Sequence, residues 1–273
     1  MAIDGATRLF AILGTPLRQA RSPGRFNALF AELGANAVLL PMEVGPDDAE
    51  AVIRGLWHVG NFDGMFVTMP IKHHALALCT RLSPRAVRVD AVNAMRRTDA
   101  GWEGDMFDGI GCVRAMREAR GVEPRGASAL VVGAGGAGAA IADALAEAGV
   151  ASLVIADVDP ARAQALAARL GDAFPACRII AGPADPSGCA IAVNATPLGM
   201  RGETELPFDP ARMAPGGLVA DAVIAATATP LLRAARRAGH RIQDGAAMNE
   251  GQAISAAEFF GFTLTPRWPE LAA

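Results

Sequence analysis

The sequence predicts a two-domain α/β protein, and three observations support this fold class. Its 273 residues are close to the size at which one hydrophobic core divides into two. Short apolar runs alternate with amphipathic helical patterns, which is the order that produces mostly parallel sheets covered by helices. A stretch rich in Gly, Pro and Arg at residues 121–127 separates two such regions, so we interpret it as the connection between the domains.

The first region predicts a β-α-β-α-β order followed by a hairpin. The alternating strands and helices are predicted at 8–13, 23–33, 37–43, 46–57 and 62–68. Two short helices are predicted at 70–78 and 84–89. The runs at 93–97 and 101–105 flank Asp99 and Gly101, which are typical turn residues, so these runs predict a hairpin.

The second region predicts a doubly wound sheet. A helix at 107–120 leads into the connection, and apolar runs alternate with helical patterns beyond it. The strands are predicted at 128–132, 152–156, 190–193, 218–223 and 241–243. The helices are predicted at 137–148, 160–170 and 250–260.

Composition excludes several classes of function. The formal net charge of -3 provides no basic surface of the kind that binds nucleic acid or an anionic membrane. The four cysteines lie too far apart for CxxC zinc spacing or a dense disulfide framework, and no apolar run reaches membrane length. We therefore expect a soluble, cytoplasmic monomer or homodimer that binds a small molecule, with no nucleic acid, membrane or metal partner.

Two residue counts restrict the chemistry further. The chain has no tyrosine, which excludes reductases that protonate the substrate oxygen with a tyrosine phenol. Lys72 is its single lysine beside 24 arginines, a bias that a GC-rich genome explains. A Schiff-base enzyme would have to use Lys72. An ammonium can also exchange a proton near neutral pH, whereas a guanidinium cannot.

A GxGxxG pattern occupies residues 133–138, after a predicted strand and at the start of a predicted helix. Such a loop brings the backbone close to a pyrophosphate at the helix N-terminus. Asp157 ends the next strand, where a carboxylate can bind both ribose hydroxyls and repel a 2′-phosphate. The pattern therefore predicts a Rossmann-type domain that prefers NAD over NADP. The loop contacts are predicted from Gly133, Gly135, Gly136, Ala137 and Gly138.

Six short blocks occur in order along nearly the whole chain. They are ARSP at 20–23, FVTMPIK at 66–72, AVN at 91–93, GDMFDG at 104–109, NATPLGM at 194–200 and the segment from Asp244 to Gln252. With the glycine loop, these blocks resemble the shikimate dehydrogenase family, which includes the quinate/shikimate dehydrogenases. The resemblance implies a substrate-binding domain at 1–106 with 241–273 and a Rossmann-type NAD-binding domain at 107–240. It also implies that the C-terminal helices return to the first domain and that the active site lies in the cleft between the two domains.

The resemblance implies a role for individual residues of these blocks. The family's catalytic lysine and aspartate match Lys72 and Asp108. Its ligands for substrate hydroxyls match Ser22, Thr68, Asn93 and Gln252. The cofactor-binding blocks include Asn194, Thr196, Gly245 and Met248.

Several positions depart from the family pattern. Residues that are usually polar are replaced by Ala20, Phe66, Met106, Phe107 and, near the position of a substrate-contacting tyrosine, Ile224. Each lost hydrogen bond removes roughly 0.5 to 1.5 kcal/mol of binding, so we expect a less hydroxylated substrate than shikimate to be possible.

The predicted activity is an NAD-dependent dehydrogenase acting on a cyclic hydroxy acid, of the shikimate or quinate type or less hydroxylated. Oxidation of an alcohol needs a titratable group beside the hydroxyl oxygen, and Lys72 and Asp108 together meet this need; either can take the proton. The alternative is a catalytically silent nucleotide-binding or regulatory homologue. Retention of both Lys72 and Asp108 argues against this alternative.

Overall fold

The computed structural model describes residues 3–18 and 20–270 and divides the chain into two compact units. The first unit consists of the described residues up to Phe107 together with the later segment Ala253–Thr265. The second unit contains Asp108–Gln252 and the described residues from Pro266 onwards. Residues 241–252, which the sequence assigned to the substrate-binding domain, are part of the second compact unit. The functional assignment of the two domains stays a prediction.

The first unit is built on one mixed sheet. Its strands are β1 (Arg8–Gly14), β2 (Ala37–Glu43), β3 (Phe62–Val67), β4 (Arg81–Leu82), β5 (Ala94–Thr98) and β6 (Gly101–Asp105). Its helices are α1 (Ser22–Glu32), α2 (Pro46–Trp57), α3 (Lys72–Leu76) and α4 (Pro84–Val89). The strand order is β2-β1-β3-β5-β6-β4, in which β1 is parallel to β2 and β3, while β5 is antiparallel to both β3 and β6.

The helices of this unit are explained by the spacing of their apolar residues and by the residue types in their first turns. In α1 the buried side chains are Phe26, Leu29 and Phe30, at the i, i+3, i+4 spacing of one helix face. In α2 the proline at position 46 occupies the first turn, where its missing N–H costs nothing. The β-α-β-α-β order predicted from the sequence is confirmed.

Six phenylalanines form the centre of the first unit, and we call them the phenylalanine cluster. They are Phe10, Phe26, Phe30, Phe66, Phe260 and Phe262. Neighbouring ring centroids are 5.0 to 6.3 Å apart, mostly edge to face, as aromatic rings prefer. Phe260 and Phe262 come from the C-terminal segment, so that segment supplies part of the core of the first unit.

The second unit contains a parallel, doubly wound sheet. Its strands are β7 (Ser128–Val132), β8 (Ser152–Ala156), β9 (Arg178–Ala181), β10 (Ile191–Asn194), β11 (Leu218–Asp221) and β12 (Arg241–Gln243). Its helices are α5 (Asp108–Glu118), α6 (Gly136–Glu147), α7 (Pro160–Ala173) and α8 (Pro230–Arg237). A last helix, α9 (Gly245–Phe259), begins in this unit. The strand order is β12-β11-β10-β7-β8-β9, so the chain changes direction across the sheet between β7 and β10.

The two-domain α/β fold with a Rossmann-type unit is confirmed, while some element bounds differ from the predicted ones. Helix α9 begins at Gly245, five residues before the predicted start, and strands β4 and β9 were not predicted. Within the described part of the chain, no helix combines the length and the apolar composition that a membrane span requires.

Candidate active site

Four of the predicted site residues lie at one edge of the first sheet. Thr68 follows the last residue of β3, and Lys72 opens α3 four residues later. Ser22 opens α1, the helix that follows β1. Asn93 precedes β5, which runs antiparallel to β3, and its carbonyl accepts a 2.8 Å hydrogen bond from the Val67 amide. The carboxyl edge of β1 and β3 therefore collects the predicted lysine and three predicted substrate ligands.

Gly14 allows the end of β1 to lie against Thr68. Its φ of +149° belongs to the region that favours glycine. A Cβ atom at this position would lie 2.5 Å from the Cγ2 atom of Thr68 and 2.7 Å from the carbonyl oxygen of Met69. A side chain at residue 14 would therefore displace the segment that carries Thr68.

The side chain of Asn27 holds α1, and with it Ser22, against β2. Its Nδ2 atom donates to the carbonyl of Leu39 at 2.9 Å, and its Oδ1 atom accepts from the Leu39 amide at 2.8 Å. An amide side chain satisfies both backbone groups of one residue in this arrangement. Asn27 thus positions the helix that begins at Ser22.

A buried carboxylate, Asp105, organises the chain just before Asp108. It accepts two hydrogen bonds from Arg85, at 2.8 and 2.6 Å, and further ones from the Ser83 hydroxyl and the Met106 amide. The Phe107 amide donates to the Oδ1 atom of Asn93 at 2.9 Å. A bidentate arginine–carboxylate pair fixes both distance and orientation. Sequence reasoning missed this role of Asp105, for which the GDMFDG block was the available signal.

Three of the apolar departures from the family pattern are core residues of the first unit. Phe66, Met106 and Phe107 are 3%, 1% and 3% exposed. Phe66 belongs to the phenylalanine cluster. The Phe107 ring lies 5.3 Å from the ring of Phe259 and 5.5 Å from the guanidinium of Arg85. Phe66 and Phe107 therefore already have aromatic or cationic partners in the protein, and Met106 is buried.

The other two departures have a different setting. Ala20 is half-buried in the segment before α1, and Ile224 is 42% exposed shortly after β11 in the second unit. Neither side chain can offer a hydrogen bond to a substrate hydroxyl.

In the second unit, α5 is placed by close contacts between helix backbones. Asp108, its first residue, is 6% exposed. A Cβ atom at Gly109 would lie 1.9 Å from the carbonyl oxygen of Ala140 in α6, and one at Gly111 would lie 2.4 Å from the Gln252 amide nitrogen in α9. Only glycine permits such approaches without movement. The two glycines therefore set where α5, and so Asp108, lies within this unit.

The glycine loop at the end of β7 has the geometry of a dinucleotide cradle. Gly133 has a φ of +103°, and a Cβ atom at Gly138 would lie 1.8 Å from the Gly133 carbonyl oxygen. By contrast, a Cβ atom at Gly135 or Gly136 would meet no atom within 4 Å. No side chain caps the first turn of α6. The backbone at Gly135 and Gly136 is therefore open, and the first N–H groups of α6 suit a pyrophosphate.

Further predicted cofactor residues lie along the same carboxyl edge of the second sheet. Ala137 is in the first turn of α6, Asn194 ends β10, Thr196 follows it, and Gly245 comes two residues after β12. Ligands of doubly wound sheets bind where the chain reverses its direction across the sheet, here between β7 and β10. The residues present therefore fit a bound dinucleotide.

Asp157 accepts hydrogen bonds from the glycine loop and from the turn that follows β8. Its Oδ2 atom accepts a 2.6 Å hydrogen bond from the Ala134 amide, and its Oδ1 atom accepts a 2.9 Å bond from the Asp159 amide. Burial alone would raise the pKa of Asp157, but these two hydrogen bonds and the charge of Arg162 lower it below the usual range of an aspartate. The carboxylate thus joins the ends of β7 and β8.

Asn194 forms part of a buried network. Its Nδ2 atom donates to Asp221 at 2.9 Å, and its Oδ1 atom accepts from the amide and the hydroxyl of Thr196. Asp221 also accepts a 2.6 Å hydrogen bond from Thr229. Burial raises the pKa of Asp221, against the effect of the hydrogen bonds from Thr229, Val223 and Asn194. This network, in which sequence reasoning missed Asp221, shapes the turn after β10.

The remaining predicted residues lie on α9. Gly245 packs on the chain after β11, since a Cβ atom there would lie 2.6 Å from the Val223 carbonyl oxygen. Met248 is 9% exposed, and the Oε1 atom of Gln252 lies 3.4 Å from the Nδ2 atom of Asn249. Gln252 ends the part of α9 that belongs to the second unit.

The histidines beside Lys72 show no metal-site arrangement. His73 and His74 are exposed, and His73 contacts Asp90. Among residues 3–18 and 20–270, no group of three or more His, Cys, Asp and Glu side chains is arranged to hold a metal ion.

The fold and the glycine loop define a two-domain α/β protein of the dinucleotide-binding class. The chain belongs to the shikimate dehydrogenase family, as its similarity to known proteins shows. Residues 12–95 match the family model of the shikimate dehydrogenase substrate binding domain, and residues 117–180 match that of shikimate / quinate 5-dehydrogenase. Members of this family act on CH–OH groups of their substrates.

Individual relatives resemble the chain over most of its length. The shikimate dehydrogenase (NADP(+)) of Rubrobacter xylanophilus is 44% identical, with 93% of this chain and 90% of that protein covered. The shikimate dehydrogenase (NADP(+)) of Acidiphilium cryptum is 39% identical over 96% of this chain and 94% of its own length. The crystal structure of shikimate 5-dehydrogenase from Listeria monocytogenes, in complex with shikimate and NAD, superposes with a TM-score of 0.88 at 31% identity, covering 96% and 94% of the two chains.

The predicted preference for NAD over NADP is wrong. Curated relatives that are 36 to 44% identical to this chain are named as NADP(+) enzymes. The physical reason lies in Asp157, whose two oxygens accept hydrogen bonds from the Ala134 and Asp159 amides. Arg162 also acts on it with a positive charge. An aspartate at this position is therefore not by itself a free ribose ligand that repels a 2′-phosphate.

Proposed function

We propose that the chain transfers hydride between a cyclic hydroxy acid and NADP. The substrate is of the shikimate or quinate type, or a less hydroxylated analogue. The observation that supports this proposal is that the segments carrying Ser22, Thr68, Lys72 and Asn93 lie at the carboxyl edge of β1 and β3 in a member of a dehydrogenase family.

Ser22, Thr68, Asn93 and Gln252 would bind the substrate through its hydroxyl groups. Hydroxyl and amide side chains offer both donors and acceptors, so they can pair with ring hydroxyls of either polarity. Ala20 and Ile224 offer none. We expect the lost contacts to weaken the binding of a fully hydroxylated ring by roughly 0.5 to 1.5 kcal/mol each.

Lys72 and Asp108 would handle the proton of the reacting hydroxyl. A bound nicotinamide dinucleotide supplies the hydride acceptor. The ammonium of Lys72 stabilises negative charge that develops on the hydroxyl oxygen, and the Lys72–Asp108 pair takes up the proton as the alcohol becomes a ketone. The retention of both residues supports an active enzyme over a silent nucleotide-binding homologue.

The open backbone at Gly135 and Gly136 would hold the pyrophosphate of the cofactor at the N-terminus of α6. The carboxyl edge of the second sheet, where the cofactor would bind, is shaped by Gly133, Gly138, Asn194, Thr196 and Gly245. Further proposed contacts to the cofactor come from Ala137 and Met248. Arg162, an exposed residue in the first turn of α7, is the proposed partner of the 2′-phosphate. The names of the curated relatives support NADP as the cofactor.

The test measures the absorbance of reduced nicotinamide with shikimate, quinate and deoxygenated analogues, each with NADP and with NAD. We expect turnover with at least one of these acids, and Lys72→Ala should lower kcat by about a thousandfold or more while NADP binding changes less than about threefold. The control is His74→Ala, which alters an exposed neighbour on α3. Turnover of Lys72→Ala near that of the control, or no activity of the parent with any of these acids, would contradict the proposal.

A further inference from the structure

A cavity of about 630 Å³ opens in the first unit at the amino edge of β1 and β3. Arg8, the first residue of β1, and Asp63, the second residue of β3, line it. Thr68 lies at the opposite edge, and strands of six to seven residues separate the two edges by about 20 Å. The volume is in the range of small-molecule sites. The cavity is therefore distinct from the proposed hydroxy-acid site.

Three arginines make the lining of the cavity cationic. Each guanidinium lies over an aromatic ring: Arg97 at 4.7 Å from Trp57, Arg96 at 4.5 Å from Phe259, and Arg8 at 5.3 Å from Phe262. Stacking holds a guanidinium by its face and leaves its N–H groups free in the plane for hydrogen bonds. Such a lining combines planar apolar walls with directed cationic donors.

Arg97 has donors that the described residues do not use. Its Nη2 atom donates to the carbonyls of Leu56, Trp57 and Val59 at the end of α2. Its Nε atom is buried without a partner, and its Nη1 atom donates to none of the described residues. No described carboxylate pairs with it within 4.0 Å. A buried, unpaired donor on a cation is costly unless a ligand or water completes it.

The charges around Arg97 are only partly compensated. Arg8 pairs with Asp63 through its Nε atom, and neither of its Nη atoms donates to a described residue. Arg96 is occupied by Glu103 and by the Phe259 carbonyl. Asp99, also in the lining, is exposed at the turn between β5 and β6. Unused donors on Arg8 and Arg97 therefore remain for an anion.

We propose that this cavity is a second binding site, for a small carboxylate that carries a planar aromatic or unsaturated ring. The carboxylate pairs with the unused Nη1 group of Arg97 and with the unused Nη groups of Arg8. The ring lies against Trp57 and Phe259. The proposal does not depend on the reaction proposed above, because none of these residues takes part in it.

The experiment follows the cavity directly with tryptophan as a reporter. The chain has three tryptophans, so incorporation of 5-fluorotryptophan gives three ¹⁹F resonances, and the Trp57 resonance is assigned by its loss in Trp57→Phe. The probe is benzoate, titrated into the full-length protein. We expect a saturable shift of the Trp57 resonance with a Kd below about 10 mM. Absence of such a shift would overturn the proposal.

Variants test the sign of the charge. Arg97→Gln and Arg8→Gln should each weaken benzoate at least about fivefold, while Asp99→Asn should tighten it because a like charge is removed. Arg54→Gln, an exposed arginine on α2 outside the lining, is the matched control and should leave Kd unchanged. Because Arg97 also holds the end of α2, Arg8→Gln and Asp99→Asn keep the test valid if Arg97→Gln unfolds. Equal affinities in all variants would contradict the proposal.

Two further probes test the ligand class. Benzylammonium has the same ring with the opposite charge, and acetate has the anion without the ring. We expect benzylammonium to leave the Trp57 resonance unchanged and acetate to bind at least about fivefold more weakly than benzoate. If benzylammonium bound as tightly as benzoate, the proposed requirement for an anion would be wrong. If acetate bound as tightly as benzoate, the proposed requirement for a ring would be wrong.

Discussion

Asp157 illustrates how one side chain can match a sequence pattern and still do a different task. At the end of β8 it was expected to bind ribose hydroxyls and repel a 2′-phosphate. Its oxygens instead accept hydrogen bonds from the amides of Ala134 and Asp159. The names of the curated relatives favour NADP. An acidic residue in this position predicts the choice of cofactor only when the hydrogen bonds of its oxygens and the neighbouring charges are known.

Arg162 is the residue whose replacement tests the proposed phosphate contact. Arg162→Ala should raise the KM for NADP about tenfold, the equivalent of about 1.4 kcal/mol, and leave the KM for NAD nearly unchanged, because NAD lacks the 2′-phosphate. Steady-state kinetics with both cofactors measures the change. The control is Arg169→Ala, an exposed arginine two turns further along α7. A parallel rise for NAD and NADP would show that Arg162 does not recognise the phosphate.

Asp157 also predicts a pH dependence of stability. Its native pKa is lowered, so the stabilisation from the charged form is fully present above the usual value near 3.9 and is lost as pH falls through the lower native pKa. Because the side chain is partly exposed to solvent, Asp157→Asn should cost only about 0.5 to 1 kcal/mol at pH 7, and less below about pH 3.5. Urea unfolding at both pH values measures this, with Asp172→Asn on the exposed face of α7 as the control. If the loss of unfolding free energy were the same at both pH values, the charged form of Asp157 would not stabilise the fold.

At the scale of elements, α5 depends on glycines where it touches other helices. Gly109→Ala places a methyl group against the Ala140 carbonyl, so α5 must shift, and the cost should be about 1 to 3 kcal/mol. The shift should also lower kcat, because Asp108 precedes this residue.

Denaturant unfolding and kinetics check this prediction, and a second glycine provides the comparison. Gly171 lies in α7, where a Cβ atom would meet no atom within 4 Å. Gly171→Ala should leave kcat unchanged and stabilise the protein by about 0.5 to 1 kcal/mol, since alanine favours the helix. Equal effects of the two substitutions would mean that the contact between α5 and α6 is not tight.

Hydrophobic periodicity predicted most elements, because the buried runs of parallel strands and the helical patterns are strong local signals. Strands β4 and β9 were missed because they have only two and four residues and contain exposed positions. The start of α9 was placed too late. Asp244 was the available signal, since its side chain accepts a hydrogen bond from the Ala247 amide at 2.9 Å.

The site could be predicted in part. Matches to the family blocks selected Lys72 and Thr68, which follow β3 in the first sheet, and a glycine pattern selected the loop after β7 in the second sheet. Their roles in the reaction stay predictions. The hydrogen bonds of Asp105 and Asp221 could not be predicted, because their partners are distant in sequence. Arg85 is 20 residues from Asp105, and Asn194 is 27 residues from Asp221. Such pairs depend on the tertiary fold.

For the whole molecule, the main feature is that the first unit is discontinuous in sequence. Residues 253–265 belong to it, and their return was implied only by the family resemblance, since strand order carries no information about it. The phenylalanine cluster shows the physical basis of the return, because Phe260 contacts the rings of Phe10, Phe26 and Phe66.

Phe260→Ala tests whether this segment stabilises the first unit. Removing a buried phenylalanine should cost about 3 to 5 kcal/mol. Hydrogen exchange should then be faster in β1 and β3, while β7 and β10 in the second unit remain protected. Phe174→Ala, at the end of α7, is the comparison and should leave β1 and β3 protected. Uniform loss of protection across both units would indicate a single cooperative fold instead.

The position of Lys72 at the start of α3, half-buried, has a practical consequence. Because every other basic side chain except histidine is a guanidinium, a reagent that acylates amines has Lys72 as its one side-chain target. Labelling with such a reagent would read the accessibility of that amine by mass spectrometry, and substrate protection from labelling would report occupancy of the site without any turnover.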